Sequence, residues 1–453
     1  MLWAAALVVP LALLPLLARP GLGLALAAVA LAAVAANRSV AYPVALAGAP
    51  GVLVGLIGSD PFPRGALVIF VFVWMLFAIV ATLIRDEGAL SSSIWFTGPV
   101  GVTCALAVLM VARLQSGSTA YGLSFSYPSF KFQLFVTGNL ILVVAGILIG
   151  RSEHDFDLLI LLTLAISALS ALVLIKQLLS GHAVAPVGGR YSISPLENPI
   201  FLGRRSAEGI IIALFVLLTG KAVWMRMAGL AAVPFLTVAL LASGSRGPVL
   251  ALIVGTVVLL AFLLRDPVHR RRLVGVAVGA VAAGVLAPQL VPGGNIGRSL
   301  SFLVGSTGGL SSTGRFHLWS EAWNSFLAHP LFGLGTGGFS RFEPVYLYPH
   351  NLFLEAMAEY GIIGLVLVVA FVGYGLSRMR AAWRLGSSDT RLRTALVVAL
   401  FSSAFVNTLL SDSLELATAV WLAVGLSTGL ALAASKRASE STVGEGVLET
   451  APA

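Results

Sequence analysis

Charge is what this 453-residue chain has least of: only 10% of its residues are Asp, Glu, Lys or Arg, against roughly 25% in a soluble globular domain. With 58% hydrophobic residues, the apolar chain exceeds what a soluble core could absorb. Cysteine is nearly missing as well. Cys104, the 1 cysteine present, lies in an apolar stretch, which excludes an internal disulfide and a cysteine-based metal cage. A Walker A run and an H-E-x-x-H pair are both lacking, so neither ATP hydrolysis nor zinc proteolysis is supported. No internal repeat is found.

What is present in abundance is apolar sequence in blocks of about 17 to 22 residues, the length that crosses a hydrocarbon slab of roughly 30 Å at 1.5 Å per helical residue. Such blocks fall near 2–18, 21–36, 40–58, 66–84, 94–112, 132–150, 158–179, 207–220, 222–242, 247–264, 273–290, 351–377, 394–411 and 414–434. The expected fold is an all-α polytopic membrane protein with about fourteen transmembrane helices. The first block lacks a basic leader and is followed at once by further spans, so it reads as a helix and not as a cleaved signal. Basic clusters at Arg265 with Arg270, Arg271 and Arg272, and at 378–393, mark cytoplasmic loops. Alternation from there puts both termini in the cytoplasm.

This topology divides the chain into N-terminal membrane helices (1–179), membrane helices with an outer arginine loop and an SGSRG motif (180–290), a large periplasmic loop (291–350), C-terminal membrane helices (351–434) and a cytoplasmic tail (435–453) expected to be disordered. Within the large loop, Phe316, Trp319, Trp323, Phe326 and Leu327 recur at helical spacing after Ser312 and Thr313. They predict an amphipathic helix lying on the outer membrane surface.

The net charge of +9 comes from arginines dispersed over short loops, which does not suit nucleic acid and points to a membrane surface or an anionic ligand. Many of these arginines fall outside, where the positive-inside rule expects few. One such arginine alone would snorkel to headgroups or pair with an acid. Here Arg204 and Arg205, the run Ser245-Arg246-Gly247-Pro248, and His350-Asn351 all stand where helices begin on the outer side. Helix N-termini offer unpaired N–H groups, and guanidinium groups add bidentate donors suited to phosphate oxygens. Ser245 is the expected capping side chain, Gly247 allows close approach and Pro248 fits a first turn. His350 precedes Glu355 and Glu359, spaced i, i+4 within a span, where carboxylates are functional suspects.

Two tempting motifs are discounted. Residues 333–338, GLGTGG, fit G-x-G-x-x-G but neither follow a strand nor open a βαβ unit. Asp155 and Asp157 have the spacing of a metal-binding pair, but they fall in a short cytoplasmic connection, where paired acids are usually solvated.

Three stretches resemble the bacterial O-antigen ligase and O-antigen polymerase family of membrane glycosyltransferases. They are 198–205 (NPIFLGRR), 243–247 (SGSRG), and the run from Gly314 and Arg315 through HPLFGLGTGGF to YPHNLFLEAMAEYGIIG at 348–364. The resemblance covers about a third of the chain. It implies a GT-C-like fold, with about twelve spans usual in the ligase branch, in the bacterial inner membrane with its active site on the periplasmic face. It implies transfer of glycan from a polyprenyl (undecaprenyl) pyrophosphate carrier to lipid A core or to a growing glycan, with no metal, no cofactor and no nucleic acid. Its phosphate-binding arginines fall on Arg204, with Arg205 equally well placed, and on Arg246; its catalytic histidine falls on His350, as base or as phosphate ligand. Glu355 is the alternative base or an orienting group, and Arg315, Asn351 and Arg190 are further candidates for contacting donor or acceptor. Outside enzymes, the rival is a transporter of an anionic lipid or polysaccharide, which should expose its site to both faces and show repeat symmetry.

Overall fold

The computed structural model describes residues 39–47, 64–85, 98–114, 127–187, 189–194, 197–291, 293–301, 315–341 and 346–448. The spans expected at 2–18 and 21–36, and most of that at 40–58, lie outside these residues. The described chain is nearly all helix, and eight of its helices are long and apolar enough to cross a membrane. The protein is a polytopic, nearly all-helical membrane protein.

Helices α1 (Arg64–Arg85) and α2 (Pro99–Ala112) are followed by α3 (Tyr127–Arg151) and α4 (Glu153–Leu179). Ser152 separates the last two, and its hydroxyl accepts the Asp155 N–H at 3.2 Å. Glu153 and Asp155 then sit in the first turn of α4, where the helix dipole favours anions. A two-stranded antiparallel hairpin, β1 (Val184–Val187) with β2 (Arg190–Ser192), interrupts the helical pattern on the way to α5 (Pro199–Thr219). This hairpin is not legible in the sequence, because a pair so short carries too little alternation to register.

Next come α6 (Val223–Ala242), α7 (Arg246–Leu263), α8 (Leu273–Leu290) and, after the large loop begins, α9 (Arg315–Ala328). The last three helices are α10 (Leu352–Leu385), α11 (Ser388–Leu410) and α12 (Thr418–Leu448). α12 runs past Lys436 into the tail for which composition suggests disorder. Nucleating a helix is costly while extending one is cheap, so a span already formed draws Ala, Lys, Arg, Ser and Glu along with it.

α3 and α12 show how these helices hold together without a hydrophobic drive between them. Gly146 and Gly150 face Gly425 and Gly429, a small-xxx-small motif on each helix. A Cβ on Gly146 would meet the Leu422 carbonyl at 2.7 Å, and one on Gly150 the Leu426 carbonyl at 2.4 Å. Bare backbone lets the two axes approach and gain close dispersion contact.

α10, at 34 residues, would span about 50 Å as one rod. It is broken at Gly361 (φ 65°, ψ −152°). The GLGTGG loop closes on the break: Leu334 and Gly335 donate N–H bonds to the Ala358 and Glu359 carbonyls, and Ile362 donates to Pro330. Groups freed by the break are thus satisfied by protein, as they must be at membrane depth. The loop is neither a nucleotide fingerprint nor a free connection.

α9 forms over the residues that the aromatic spacing predicts. Its buried face is Leu318, Ala322 and Ser325, packed with Phe339 and Ala358, while Phe316, Trp323 and Leu327 stay exposed. Trp319 packs against the same cluster, and Ala322 and Ser325 let α9 lie close on α10.

Ion pairs separate the two ends of the bundle. Arg393 binds Asp157 at 3.0 and 3.1 Å and Glu153 at 3.1 Å, Arg437 binds Glu153 at 2.7 Å, and Lys221 binds Asp389 at 3.1 Å. Asp155 accepts the Ser39 hydroxyl at 2.8 Å. Both acids of the Asp155/Asp157 pair therefore have protein partners at this end. The arginines and histidine singled out from the sequence gather at the other.

Candidate functional site

The site is organised by residues 411–417, the turn from α11 to α12. Arg204 extends from the first turns of α5, whose start is set by Asn198 accepting the Ile200 N–H and by Pro199 in the first turn. Its Nη1 donates to Asp412 Oδ1 at 2.5 Å. Arg315, at the start of α9, donates to Ser411 Oγ at 3.3 Å. His350 places Nδ1 3.4 Å from the Ser411 carbonyl oxygen. Three residues far apart in sequence thus meet on two consecutive residues of one turn.

His350 is held in an unusual conformation. Its φ of 57° is the only positive value at a non-glycine residue among those described, and such backbone persists only where its surroundings enforce it. Asn351 supplies part of that enforcement. Its side-chain oxygen accepts the Phe353 and Leu354 N–H groups at 3.1 Å each, capping α10, while its amide donates to the Leu409 carbonyl at 3.1 Å. Asn351 therefore joins α10 to α11. Tyr348 and Tyr346 meet the His350 ring edge to face, with centroids 4.5 and 5.7 Å away.

Electrostatics follow from this packing. Burial, with the nearby charges of Arg315 and Arg204 outweighing the Ser411 carbonyl, lowers the His350 pKa to about 4. The ring is neutral at pH 7. Because a carbonyl oxygen can only accept, the Ser411 contact places the proton on Nδ1 and leaves the lone pair on Nε2. Burial pushes the Asp412 carboxyl up to about 6 against the pull of Arg204. Arg315 is held below the usual guanidinium range by burial and then by the charge of Arg246.

Arg246 opens α7 and acts on Arg315 through that repulsion. Ser245 does not cap α7: its hydroxyl donates to the Ser243 carbonyl at 3.1 Å, and its N–H donates to Ser243 Oγ at 3.3 Å. The turn folds on itself, so its serines satisfy one another. Gly247 lies against Ser411, where a Cβ would come within 3.3 Å of the hydroxyl. Arg205 diverges from Arg204 and pairs with Glu197 at 3.2 Å and Ser170 at 3.3 Å. Arg190 packs beside Gly244 and faces Arg298, a cation that the sequence reading passes over.

Glu355 and Glu359 turn away from His350. Both accept bonds from the buried Lys131 of α3, with Glu359 at 2.7 Å. Glu355 is bonded to Lys131 and to the Leu414 N–H, and its carboxylate makes no direct bond to an arginine or to the histidine. Lys131, Asp412, Glu415 and Ser411 are additions to the sequence-derived set. Asp412 falls in what hydropathy reads as a two-residue turn and Glu415 at the start of the following span, and the one available signal was two acids at the edge of adjacent spans.

A cavity of about 520 Å³ opens beside Arg204, Arg205, Glu208 and Asp412 and continues along Met75, Leu142, Leu159 and Leu416. It is charged at one end and apolar along its length. His350, Arg246 and Arg315 do not line it.

A bundle of membrane helices with a cationic site at one end and a cavity beside it that is part charged and part apolar makes this an integral membrane protein. Residues 230–369, which carry the SGSRG run, α9 and the His350 region, match the family model described as O-antigen ligase. The chain is also 31% identical over 240 residues to exopolysaccharide production protein ExoQ of Rhizobium meliloti (strain 1021), covering 47% of this chain and 54% of that protein. The alignment thus spans about half the length of that relative. Both findings agree with the O-antigen ligase and polymerase resemblance drawn from the sequence.

Proposed function

We propose that the protein is a membrane glycosyltransferase that moves a glycan from a polyprenyl (undecaprenyl) pyrophosphate carrier to an acceptor hydroxyl at the periplasmic face of the inner membrane. The observation that carries this reading is the convergence of Arg204, Arg315 and a neutral His350 on Ser411 and Asp412 beside a cavity lined by charged residues on one side and by apolar ones elsewhere. The acceptor oxygen attacks the anomeric carbon, and the bond from that carbon to the pyrophosphate oxygen breaks. Negative charge grows on the leaving group, where fixed guanidinium groups and the start of α7 stabilise it with little reorganisation. Arg204 and Arg246 take that role. His350 receives the acceptor's proton on Nε2 while Nδ1 stays tied to the turn. Charge build-up on the imidazole is opposed by Arg315, so His350 works as a base only as the proton moves.

Two acceptors fit the same chemistry. The matched O-antigen ligase model favours a distinct acceptor such as lipid A core. The relative named for exopolysaccharide production favours addition to a growing glycan. Reconstitution with a polyprenyl-pyrophosphate glycan and candidate acceptors in EDTA, comparing wild type with Arg246→Ala and His350→Asn, tests the reading. Transfer should survive EDTA and fall at least ~100-fold in either variant. One block added to a separate acceptor means ligase, and a ladder means polymerase. Absence of product with every acceptor, together with movement of labelled glycolipid across the bilayer, would replace the enzyme by a transporter.

A further inference from the structure

Lys131 lies near the start of α3 with its side chain wholly buried, and its Nζ donates to Glu355 and to Glu359, with Glu415 at 3.9 Å. Each carboxylate is also bound elsewhere. The other oxygen of Glu355 accepts the Leu414 N–H at 2.9 Å, and Glu359 accepts the Gly337 N–H at 3.0 Å. Asn139, two turns along α3, donates to the Leu414 carbonyl at 2.7 Å. Through one ammonium and one amide, α3 therefore fixes the first turns of α10, the GLGTGG loop, and both backbone groups of Leu414.

Those elements carry the site. Leu414 stands three residues after Ser411, which receives His350 and Arg315, and two after Asp412, which receives Arg204. Glu355 stands five residues after His350. Both partners of the His350–Ser411 contact are thus anchored to Lys131 from behind, although Lys131 reaches neither.

Stability alone does not account for such a cluster. Burying charges costs several kcal/mol each, and well-packed apolar residues often hold helices equally well. Apolar residues could not accept the Leu414 and Gly337 N–H groups, and a small misplacement of reacting groups can cost a hundredfold in rate.

We propose that Lys131 is a positioning residue that acts through Glu355 to set His350 and the Ser411–Asp412 turn in register. Its effect on turnover rests on the transferase reading above; its effect on His350 does not. Lys131→Met strands buried carboxylates and is open to misfolding, so the decisive variant is the neutral triple K131M/E355Q/E359Q, with K131R as the conservative comparison.

Two readouts separate positioning from simple structural support. The first is kcat and donor KM with a polyprenyl-pyrophosphate glycan. The second is carbethoxylation of His350 by diethyl pyrocarbonate, resolved by peptide mass spectrometry, with exposed His154 at the opposite end as the internal reference. The triple variant should keep its thermal midpoint, lose at least ~10-fold in kcat with little change in donor KM, and label His350 several-fold faster with His154 unchanged. K131R should fall between it and the wild type. Wild-type kcat and His350 labelling in the triple variant would overturn the proposal, as would faster labelling at every histidine. Should the wild type transfer no glycan at all, the transferase reading fails while the His350 labelling still decides the role of Lys131.

Discussion

Arg204 and Asp412 form the ion pair that joins the start of α5 to the turn after α11, with Nη1 and Oδ1 2.5 Å apart. The pair occupies the guanidinium that the proposed reaction needs for phosphate. Asp412 is therefore a competitor that a pyrophosphate must displace.

Asp412→Asn should strengthen inhibition of transfer by inorganic pyrophosphate roughly 10-fold at pH 7.5, a difference of about 1.4 kcal/mol. The Asp412 carboxyl, raised to about 6, gains its proton as the pH falls through that value. Below it the wild type should approach the variant. Inhibition constants that coincide at pH 7.5 would show that Asp412 does not compete.

His350, lowered to about 4, gives a second pH dependence of opposite sense. The folded protein resists protonation that the unfolded chain accepts near 6.5. The stability tied to this group is present above about 6.5 and is lost as the pH falls toward 4. The thermal midpoint in detergent should drop more between pH 7 and 4.5 for the wild type than for His350→Asn, and in an Asp412→Asn background, which removes the competing carboxylate, kcat/KM should stay level from pH 8 to about 5. A rate profile that breaks near 6.5 would mean the imidazole is not buried as described.

Gly361 and Gly333 interlock at the break in α10. A Cβ on Gly361 would lie 2.5 Å from the Leu331 backbone, and one on Gly333 2.3 Å from that of Glu359. Gly361→Ala and Gly333→Ala should each destabilise by at least ~2 kcal/mol, seen as a lower midpoint and poor recovery from size exclusion. Gly373→Ala, with open space around it, should behave as wild type. Equal midpoints for all three would contradict the close approach.

Arg393, at the opposite end, pairs with carboxylates that are 45% and 59% exposed. Such pairs contribute about 1 kcal/mol or less. Arg393→Ala should shift the midpoint slightly and leave transfer within ~2-fold of wild type. A large loss of transfer would tie the two ends together in a way that the contacts described do not.

Much of the fold is legible in the hydropathy pattern, since each apolar block from 132 onward coincides with a helix. The block at 207–220 is short because its helix starts at Pro199 and carries Arg204, Arg205 and Glu208 in its first turns. A hydropathy window counts these as facing lipid, whereas they face a cavity. Arg204 and His350 are readable one by one from their places at helix starts, and Arg315 from the family-like stretch that carries it. Their common anchor is not, because Ser411 and Asp412 are chemically ordinary in a short turn. Lys131 was hidden for the same reason: a lysine near a span end reads as snorkelling, and only the fold brings Glu355 and Glu359 beneath it.

The left-handed backbone at His350 narrows what position 350 can hold. Outside glycine, asparagine, aspartate and histidine enter that region most readily, and other residues there cost roughly 1–2 kcal/mol. Alanine at this position would combine loss of the ring with a displaced start to α10, so its phenotype would overstate the imidazole. In a saturation library the informative comparison is histidine against asparagine, and β-branched replacements should be depleted for misfolding before their chemistry is ever tested.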